Sequence, residues 1–299
     1  MPLKKLPKFI CIGAQRAGST WLYENLKPHE GIWLPPIKEL HYFDELRVQP
    51  FFCKRNKGHI YRRMLAARAS LRHGDWSMAE FMWDAKFLGL PRSDRWYASL
   101  FSQGRKLAAG EITPDYSTLS ADTVAAVKHI NPDMRIIFLL RDPIDRSWSQ
   151  ARKDLPRVHR LPLLEIPAPD VISWFNSHWC LKRSDYMTTL NNWLTHFPRE
   201  QIFIDFHEEI IKRPTDLLLR VYDFLGVERS RRHVPATRKQ RVNAIPPVAL
   251  PPAYEYELAR IYEPRLAELK KLFSPYPERW HERCIRVLEQ HANSGASHA

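Results

Sequence analysis

Cysteine is scarce in this chain of 299 residues, and its four copies, Cys11, Cys53, Cys180 and Cys284, lie far apart. They form no CxxC pair and no mixed Cys/His spacing typical of zinc ligands, which argues against a structural zinc site. Such sparse use of cysteine fits a protein of a reducing compartment.

Long apolar runs are also missing. The run near the amino terminus, residues 9–12, is shorter than the apolar core of a signal peptide, and no small-residue cleavage site follows it. No stretch approaches the roughly 20 apolar residues that a membrane span requires. The sequence therefore predicts a soluble, cytoplasmic protein without a transmembrane segment.

Acidic residues are in the minority, with 33 Asp and Glu against 46 Lys and Arg and a net charge of +13. This surplus indicates an anionic partner, whether a nucleotide, a sulfated or phosphorylated substrate, a membrane face or nucleic acid. The length is sufficient for a substantial core, and we find no internal repeat and no domain linker. We predict one domain over residues 1–291 and a disordered tail over 292–299.

Apolar runs and helical periodicity alternate along the chain, which predicts an α/β fold around a parallel sheet. The predicted strands are 8–13, 135–140 and 201–206. The predicted helices are 20–28, one starting near Pro143, 214–225, and one or two over 253–273 with a break at Pro264; residues 45–107 form a basic, largely helical stretch, and the proline-rich pieces 156–169 and 246–252 are loops.

The first strand runs into a glycine loop, Gly13-Ala14-Gln15-Arg16-Ala17-Gly18-Ser19-Thr20. Its spacing of two glycines and a following hydroxyl residue is that of a P-loop, in which backbone N–H groups surround a phosphate. The usual Lys after the second glycine is replaced by Ser19, and the cation is Arg16. The loop is therefore suited to bind a phosphate but poorly built for metal-assisted phosphoryl transfer. The alternative is a plain Gly-rich turn between strand and helix.

A second candidate anchor follows the strand 135–140. Arg141 stands at the end of this strand, where ligands of parallel sheets bind, and Ser149 lies two turns into the next helix. The two side chains can converge on one phosphate. The alternative is a surface arginine and a solvated serine on an amphipathic helix.

Together these motifs resemble the PAPS-dependent sulfotransferases, where PAPS is 3′-phosphoadenosine 5′-phosphosulfate, in the branch of the heparan sulfate enzymes and their bacterial relatives. The resemblance covers residues 8–280. GAQRAGSTWL is similar to the family's 5′-phosphosulfate loop, IIFLLRDPIDRSWSQ to its 3′-phosphate segment, KELHYFD to the stretch with its catalytic carboxylate, and GEITPDYS and residues 183–214 to further recurrent segments.

The resemblance implies a P-loop-like α/β fold and transfer of a sulfuryl group from PAPS to an acceptor hydroxyl, such as that of a saccharide or glycolipid. It places Arg16, Ala17, Gly18, Ser19, Thr20 and Trp21 at the 5′-phosphosulfate, Arg141 and Ser149 at the 3′-phosphate, and Arg238, Lys239 and Arg241 in a late loop that closes over the nucleotide.

The chain departs from the family pattern at three positions. Arg16 replaces the usual loop Lys; it keeps the charge but is a poorer proton donor. Ile112 stands where the heparan enzymes carry a Lys near the substrate, which weakens the case for heparan sulfate as the acceptor. Gln240 replaces a glycine of the late loop, where a solvated run of charges is the alternative.

The resemblance makes Glu39 the candidate base that takes the proton of the acceptor, with His41 as its rival because imidazole titrates near neutral pH. Glu111 and Asp115 are the next candidates. We expect no metal, because the fixed charge of Arg16 takes the role that magnesium has in kinases.

Two other functions stay open on the sequence. A P-loop nucleotide kinase would share the glycine loop, although the missing Lys speaks against it. A non-enzymatic polyanion-binding protein would explain the net charge and the basic stretch 54–72, and it would show strongly salt-dependent binding without affinity for PAPS. The sequence does not name the acceptor.

Overall fold

The computed structural model describes residues 6–44, 61, 63–65, 68–69, 77–240 and 248–296. These residues contain one sheet of five parallel strands in the order β2-β3-β1-β4-β5. The strands are β1 (Phe9–Gly13), β2 (Ile32–Trp33), β3 (Ala108–Ile112), β4 (Arg135–Leu140) and β5 (Ile202–Phe206). The predicted α/β fold with a central parallel sheet is confirmed.

The central strand β1 is buried along its whole length, as expected for a parallel sheet covered on both faces. Phe9 pairs with Gly110 of β3 on one side and with Arg135 of β4 on the other. A side chain on Gly110 would lie 2.4 Å from the ring of Phe9, so the glycine lets that ring cross the neighbouring strand.

Helices flank the sheet, and several begin at a serine whose side chain accepts a backbone N–H of the first turn. Gly226 ends the helix predicted over 214–225 in the left-handed conformation. The helices are α1 (Ser19–Leu26), α2 (Met78–Gly89), α3 (Asp94–Leu100), α4 (Ala121–Ile130), α5 (Pro143–His159), α6 (Ala168–Phe175), α7 (His178–Lys182), α8 (Tyr186–Leu194), α9 (His207–Lys212), α10 (Pro214–Leu225), α11 (Pro252–Leu269) and α12 (Tyr276–Ala296).

The proline positions correct the predicted boundaries. Pro264 does not break its helix: α11 runs through it without interruption. The buried side chains of Leu258, Tyr262 and Leu266 hold this helix in the core, and that burial outweighs a proline cost of about 3 kcal/mol. Pro156 likewise lies inside α5, so the first residues of the predicted loop 156–169 are helical.

Other predictions are changed in extent. The segment 292–299, predicted as a disordered tail, continues α12 as far as Ala296, and residues 297–299 lie outside the described part. The stretch 45–107 contains α2 and α3, whereas most of its first half, including most of the basic stretch 54–72, lies outside the described residues. Cys11, Cys180 and Cys284 are buried thiols without a disulfide, and Cys53 is not among the described residues.

All five strands point the same way, so their carboxyl ends share one rim of the sheet. The glycine loop after β1, residues 113–118 after β3, Arg141 after β4 and α9 after β5 all start from this rim. Among the described helices, none combines the length and apolar character needed to cross a bilayer.

Candidate active site

The glycine loop joins the central strand to α1 and takes its shape from two glycines. Gly13 and Gly18 have φ angles of 151° and 102°, and Gly18 caps the helix in the left-handed conformation. The φ angle of Gly18 is one that other residues rarely adopt, and a Cβ there would also displace Cδ1 of Ile210, 2.1 Å away, so the position favours glycine. Backbone N–H groups of a first helical turn have no partner within the helix and are directed at an anion in front of it.

The two predicted anchors meet. Nε of Arg16 donates to Oγ of Ser149 over 3.0 Å, and a terminal nitrogen of Arg141 donates to the carbonyl of Arg16 over 2.8 Å. These contacts join positions 133 and 125 residues apart in the sequence. The loop after β1 and the β4–α5 junction therefore form one cationic site, although the Arg16 side chain is directed at Ser149 rather than along its own loop.

This site carries a desolvated positive charge. Burial and the neighbouring guanidinium groups of Arg141 and Arg152 lower the pKa of Arg16, and burial lowers the pKa of Arg141. Nε of Arg141 is buried and has no hydrogen-bond partner among the described residues. Buried cations with unused donors are costly unless a ligand satisfies them, which is what a phosphate oxygen does.

Glu39 lies beside the start of α1. Its backbone N–H donates to the carbonyl of Ile112 at the end of β3, and its carboxylate accepts from Nζ of Lys38 over 2.6 Å. The same ammonium group lies 3.3 Å from Oγ of Ser19 in the glycine loop. Lys38 therefore connects the candidate base to the candidate phosphosulfate site.

The backbone around Glu39 is held under strain. Glu39 and His41 both have positive φ angles, 66° and 50°, which residues other than glycine rarely adopt. Arg92 donates to the carbonyls of Leu40 and His41, and the hydroxyl of Tyr116 accepts from the N–H of Tyr42. These hydrogen bonds keep the strained segment 39–42 in one conformation, as is common at functional sites.

His41 is a cation in this arrangement. Its Nδ1 lies 2.7 Å from Oδ2 of Asp44, and its Nε2 lies 3.8 Å from Oε2 of Glu39. Burial alone would lower the pKa of His41, but the carboxylates of Asp44 and Glu39 raise it to about 10. An imidazole that already carries its second proton at neutral pH accepts no proton from an acceptor.

Glu39, by contrast, carries a negative charge. Burial alone would raise its pKa, but His41 and Lys38 stabilise the charged form and hold the pKa of Glu39 well below its ordinary value. The side chain is 25% exposed, so an acceptor can reach it.

The two reserve candidates for the base have other partners. Glu111 is buried, and its carboxylate accepts hydrogen bonds from the hydroxyls of Tyr97 and Tyr116, at 2.5 and 3.0 Å, and of Thr113. Asp115 accepts from Gln15 of the glycine loop and, over 3.2 Å, from Arg183. Glu111 is thus held by three hydroxyl groups inside the fold, whereas Asp115 links the glycine loop to the α7–α8 connection.

The ligand atoms of His41, Asp44 and Asp115 lie within 4.8 Å of one another, a spacing that suits a metal ion. A metal there would bind the neutral imidazole and displace the proton that the neighbouring carboxylates favour on His41. In the structure the three side chains form one network of charges, in which Nδ1 of His41 lies 2.7 Å from Oδ2 of Asp44.

The late basic segment reaches α1. Its residues 236–239 form a short 3₁₀ helix, and Nε1 of Trp21 donates to the carbonyl of Arg238 over 2.7 Å. The side chain of Arg238 donates to Thr215, and Lys239 is exposed. Arg241 lies outside the described residues. The segment therefore packs against α1 and α10, with neither described cation bonded to Arg16 or Ser149.

The comparisons with known proteins identify the family. The model of the family described as "Sulfotransferase family" matches residues 7–231. The chain belongs to this sulfotransferase family. The predicted resemblance is confirmed.

The curated relatives of this sulfotransferase chain carry names that describe enzymes of heparan sulfate. The heparan sulfate glucosamine 3-O-sulfotransferase 3B1 of Mus musculus is 25% identical over 234 residues, which are 76% of this chain and 47% of the relative. The bifunctional heparan sulfate N-deacetylase/N-sulfotransferase of Drosophila melanogaster is 25% identical over 75% of this chain and 20% of the relative. The chain thus spans about half or less of the length of these relatives.

A solved sulfotransferase from Alicyclobacillus acidocaldarius has the same fold, with a TM-score of 0.62 and 24% identity over 89% of this chain and 95% of the other. The sulfotransferase domain of the curacin biosynthetic pathway gives a TM-score of 0.54 at 15% identity, with coverage of 96% and 98%.

Sequence reasoning missed several residues of the sulfotransferase site. No sequence pattern singles out Lys38, because its contact with Ser19 requires the fold. Lys153 lies one helical turn beyond Ser149 on α5, and the charges of Arg16 and Glu39 act on it. Helical spacing from Ser149 was the signal that could have identified Lys153. Arg183 and Arg92 act through contacts that no sequence pattern reveals.

Proposed function

We propose that this sulfotransferase moves a sulfuryl group from PAPS to a hydroxyl of a saccharide. The meeting of the glycine loop with Arg141 and Ser149 carries the proposal, because it places two anion-binding segments from distant parts of the chain side by side. A donor with separate 5′ and 3′ phosphates uses both the glycine loop and this second anchor, whereas ATP has no 3′-phosphate. The names of the curated relatives support a saccharide acceptor.

The reaction needs a base, an aligned sulfur and a stabilised leaving group. Glu39 takes the proton of the acceptor hydroxyl as the new bond from the acceptor oxygen to sulfur forms. The bond from sulfur to the 5′-phosphate oxygen breaks, and adenosine 3′,5′-bisphosphate leaves with the electron pair. Arg16, Lys38 and the N–H groups at the start of α1 are the donors for the charge that develops on this phosphate.

Lys38 has a further consequence for the base. In the structure it stabilises the Glu39 carboxylate over 2.6 Å and thereby weakens its basicity. The sulfonate and phosphate charges of a bound donor compete for this ammonium group, which is already 3.3 Å from Ser19. Donor binding therefore strengthens Glu39 as a base at the time when the acceptor requires one.

The test is nucleotide discrimination. Calorimetry should show adenosine 3′,5′-bisphosphate bound more tightly than AMP, and Arg141→Ala should remove this preference, because a charge-assisted contact contributes roughly 1.5–3 kcal/mol. Arg95→Ala, an exposed arginine on α3, is the matched control and should retain it. Equal affinity of the unaltered protein for both nucleotides would contradict the proposal.

The same protein, incubated with radiolabelled PAPS and a panel of oligosaccharides, should transfer label to an acceptor without added magnesium. Phosphate transfer from ATP would favour the kinase. Salt-dependent heparin binding without affinity for the bisphosphate would favour a non-enzymatic polyanion-binding protein.

A further inference from the structure

The last helix, α12, begins beyond residues 7–231 that the family model matches, yet it reaches the nucleotide site. The guanidinium group of Arg283 on this helix binds three carboxylates. It donates to Asp142 and Asp145 over 2.8 Å each, and its Nε donates to Glu255 of α11 over 2.8 Å. The side chain of Arg283 is 29% exposed, so these bonds are partly shielded from water.

Asp142 stands between the two parts of the 3′-phosphate anchor. It follows Arg141 directly and precedes α5, the helix that carries Ser149. Its Oδ1 caps α5 by accepting the N–H of Ile144 over 2.9 Å, while its Oδ2 is held by Arg283. The cap fixes the direction in which α5 leaves the strand, and Arg283 fixes the cap.

A second residue of α12 acts on the same surroundings. Trp280, one turn before Arg283, donates its indole N–H to Glu208 over 2.6 Å. The charges of Glu208, Asp142 and Asp145 all act on Arg141. Each of the three carboxyl groups that act on Arg141 is thus bound by a residue of α12.

We propose that Arg283 is a positioning residue of the 3′-phosphate site. It holds Asp142 on the cap of α5 and keeps Asp142 and Asp145 away from Arg141, so that Arg141 and Ser149 stay directed at the phosphate. The inference rests on the proposed function, since it concerns the phosphate that distinguishes PAPS from other nucleotides.

The test compares two nucleotides on the full chain. Arg283→Ala should lower the affinity for adenosine 3′,5′-bisphosphate by roughly tenfold and leave the affinity for AMP nearly unchanged, because only the bisphosphate uses Arg141 and Ser149. With labelled PAPS the KM should rise more than kcat falls. Arg283→Lys should restore part of the preference, since an ammonium group keeps the charge but loses the fork that binds three carboxylates.

Arg286→Ala removes the same charge from an exposed position of the same helix and is the matched control. The ratio of the two affinities is independent of how much protein is folded, so instability alone leaves it unchanged. If Arg283→Ala does not fold, the ratio is measured on Arg283→Lys, and a ratio equal to that of the unaltered protein overturns the proposal.

Equal weakening of both nucleotides by Arg283→Ala, or no change in either, would also overturn it. Absence of any preference in the unaltered protein would overturn the proposed function itself, which is a distinct result. As a further arm, Asp142→Asn in the Arg283→Ala background should recover part of the bisphosphate affinity, because it removes the charge that competes for Arg141.

Discussion

At the scale of single residues, the division of charge between Glu39 and His41 decides which of them accepts a proton. The two side chains lie in one network, 3.8 Å apart, and the network raises the pKa of His41 to about 10. His41 therefore orients and charges the network, and Glu39 is the group with an unprotonated oxygen. Asp44 holds His41 from the opposite side over 2.7 Å.

Glu39→Gln keeps the shape of the side chain and removes most of its basicity. We expect turnover to fall by roughly 10²–10⁴-fold, the usual scale of general-base catalysis, with little change in bisphosphate affinity. His41→Asn should reduce turnover less, as a positioning residue does. Both are measured as initial rates with saturating PAPS, and an inactive His41 variant beside an active Glu39 variant would reverse the assignment.

The positions of the glycine loop, Arg141 and Ser149 in the fold could be predicted because strand ends and glycine spacing are visible in the sequence. Arg141 ends a clear apolar strand, and Ser149 follows at helical spacing. The direction of the Arg16 side chain could not be predicted, because it follows from a positive φ angle of 66° and from a partner 133 residues away. The same limit applies to Lys38, whose role depends on its contact with Ser19.

At the scale of elements, strands and helices with strong periodicity were predicted well, whereas helix bounds placed at prolines were wrong. The bounds of β4 and α10 agree with the predicted 135–140 and 214–225. Pro156 and Pro264 were read as local breakers, whereas burial of neighbouring side chains keeps both in helices. The two-residue strand β2 has no periodic signal and exists through its pairing with β3.

The junction between β1 and α1 depends on Gly18. Gly18→Ala should lower the affinity for adenosine 3′,5′-bisphosphate and the melting temperature together, since the new methyl group meets Ile210 and the φ angle of 102° is strained. Gly89→Ala is the matched control, because no atom of the described residues lies within 4 Å of its added Cβ and alanine favours helices by about 1 kcal/mol. Calorimetry and thermal melts measure both, and an unchanged Gly18→Ala protein would contradict the loop assignment.

At the scale of the whole molecule, the charge network gives stability a dependence on pH. The pKa of His41 is about 10 in the folded chain against an ordinary value of 6.5. The protonated imidazole therefore stabilises the fold fully below pH 6.5, and this contribution is lost as the pH rises through about 10.

The difference in melting temperature between the unaltered protein and His41→Asn should consequently be largest near pH 6 and shrink towards about pH 10. Thermal melts in a series of buffers measure it. His129→Asn, at an exposed position near the end of α4, provides the control for an unrelated histidine. A difference that stays constant or grows with pH would contradict the charged state assigned to His41.

The strand order carries a consequence for how the molecule is made. β1 is synthesised first, yet its partners β3 and β4 follow about 100 residues or more later in the chain. The apolar segment Phe9–Gly13 therefore lacks its sheet partners until β3 and β4, which ends at Leu140, have been synthesised, and an unpaired strand of this kind is prone to aggregation. We expect heterologous expression to improve at low temperature or with added chaperones.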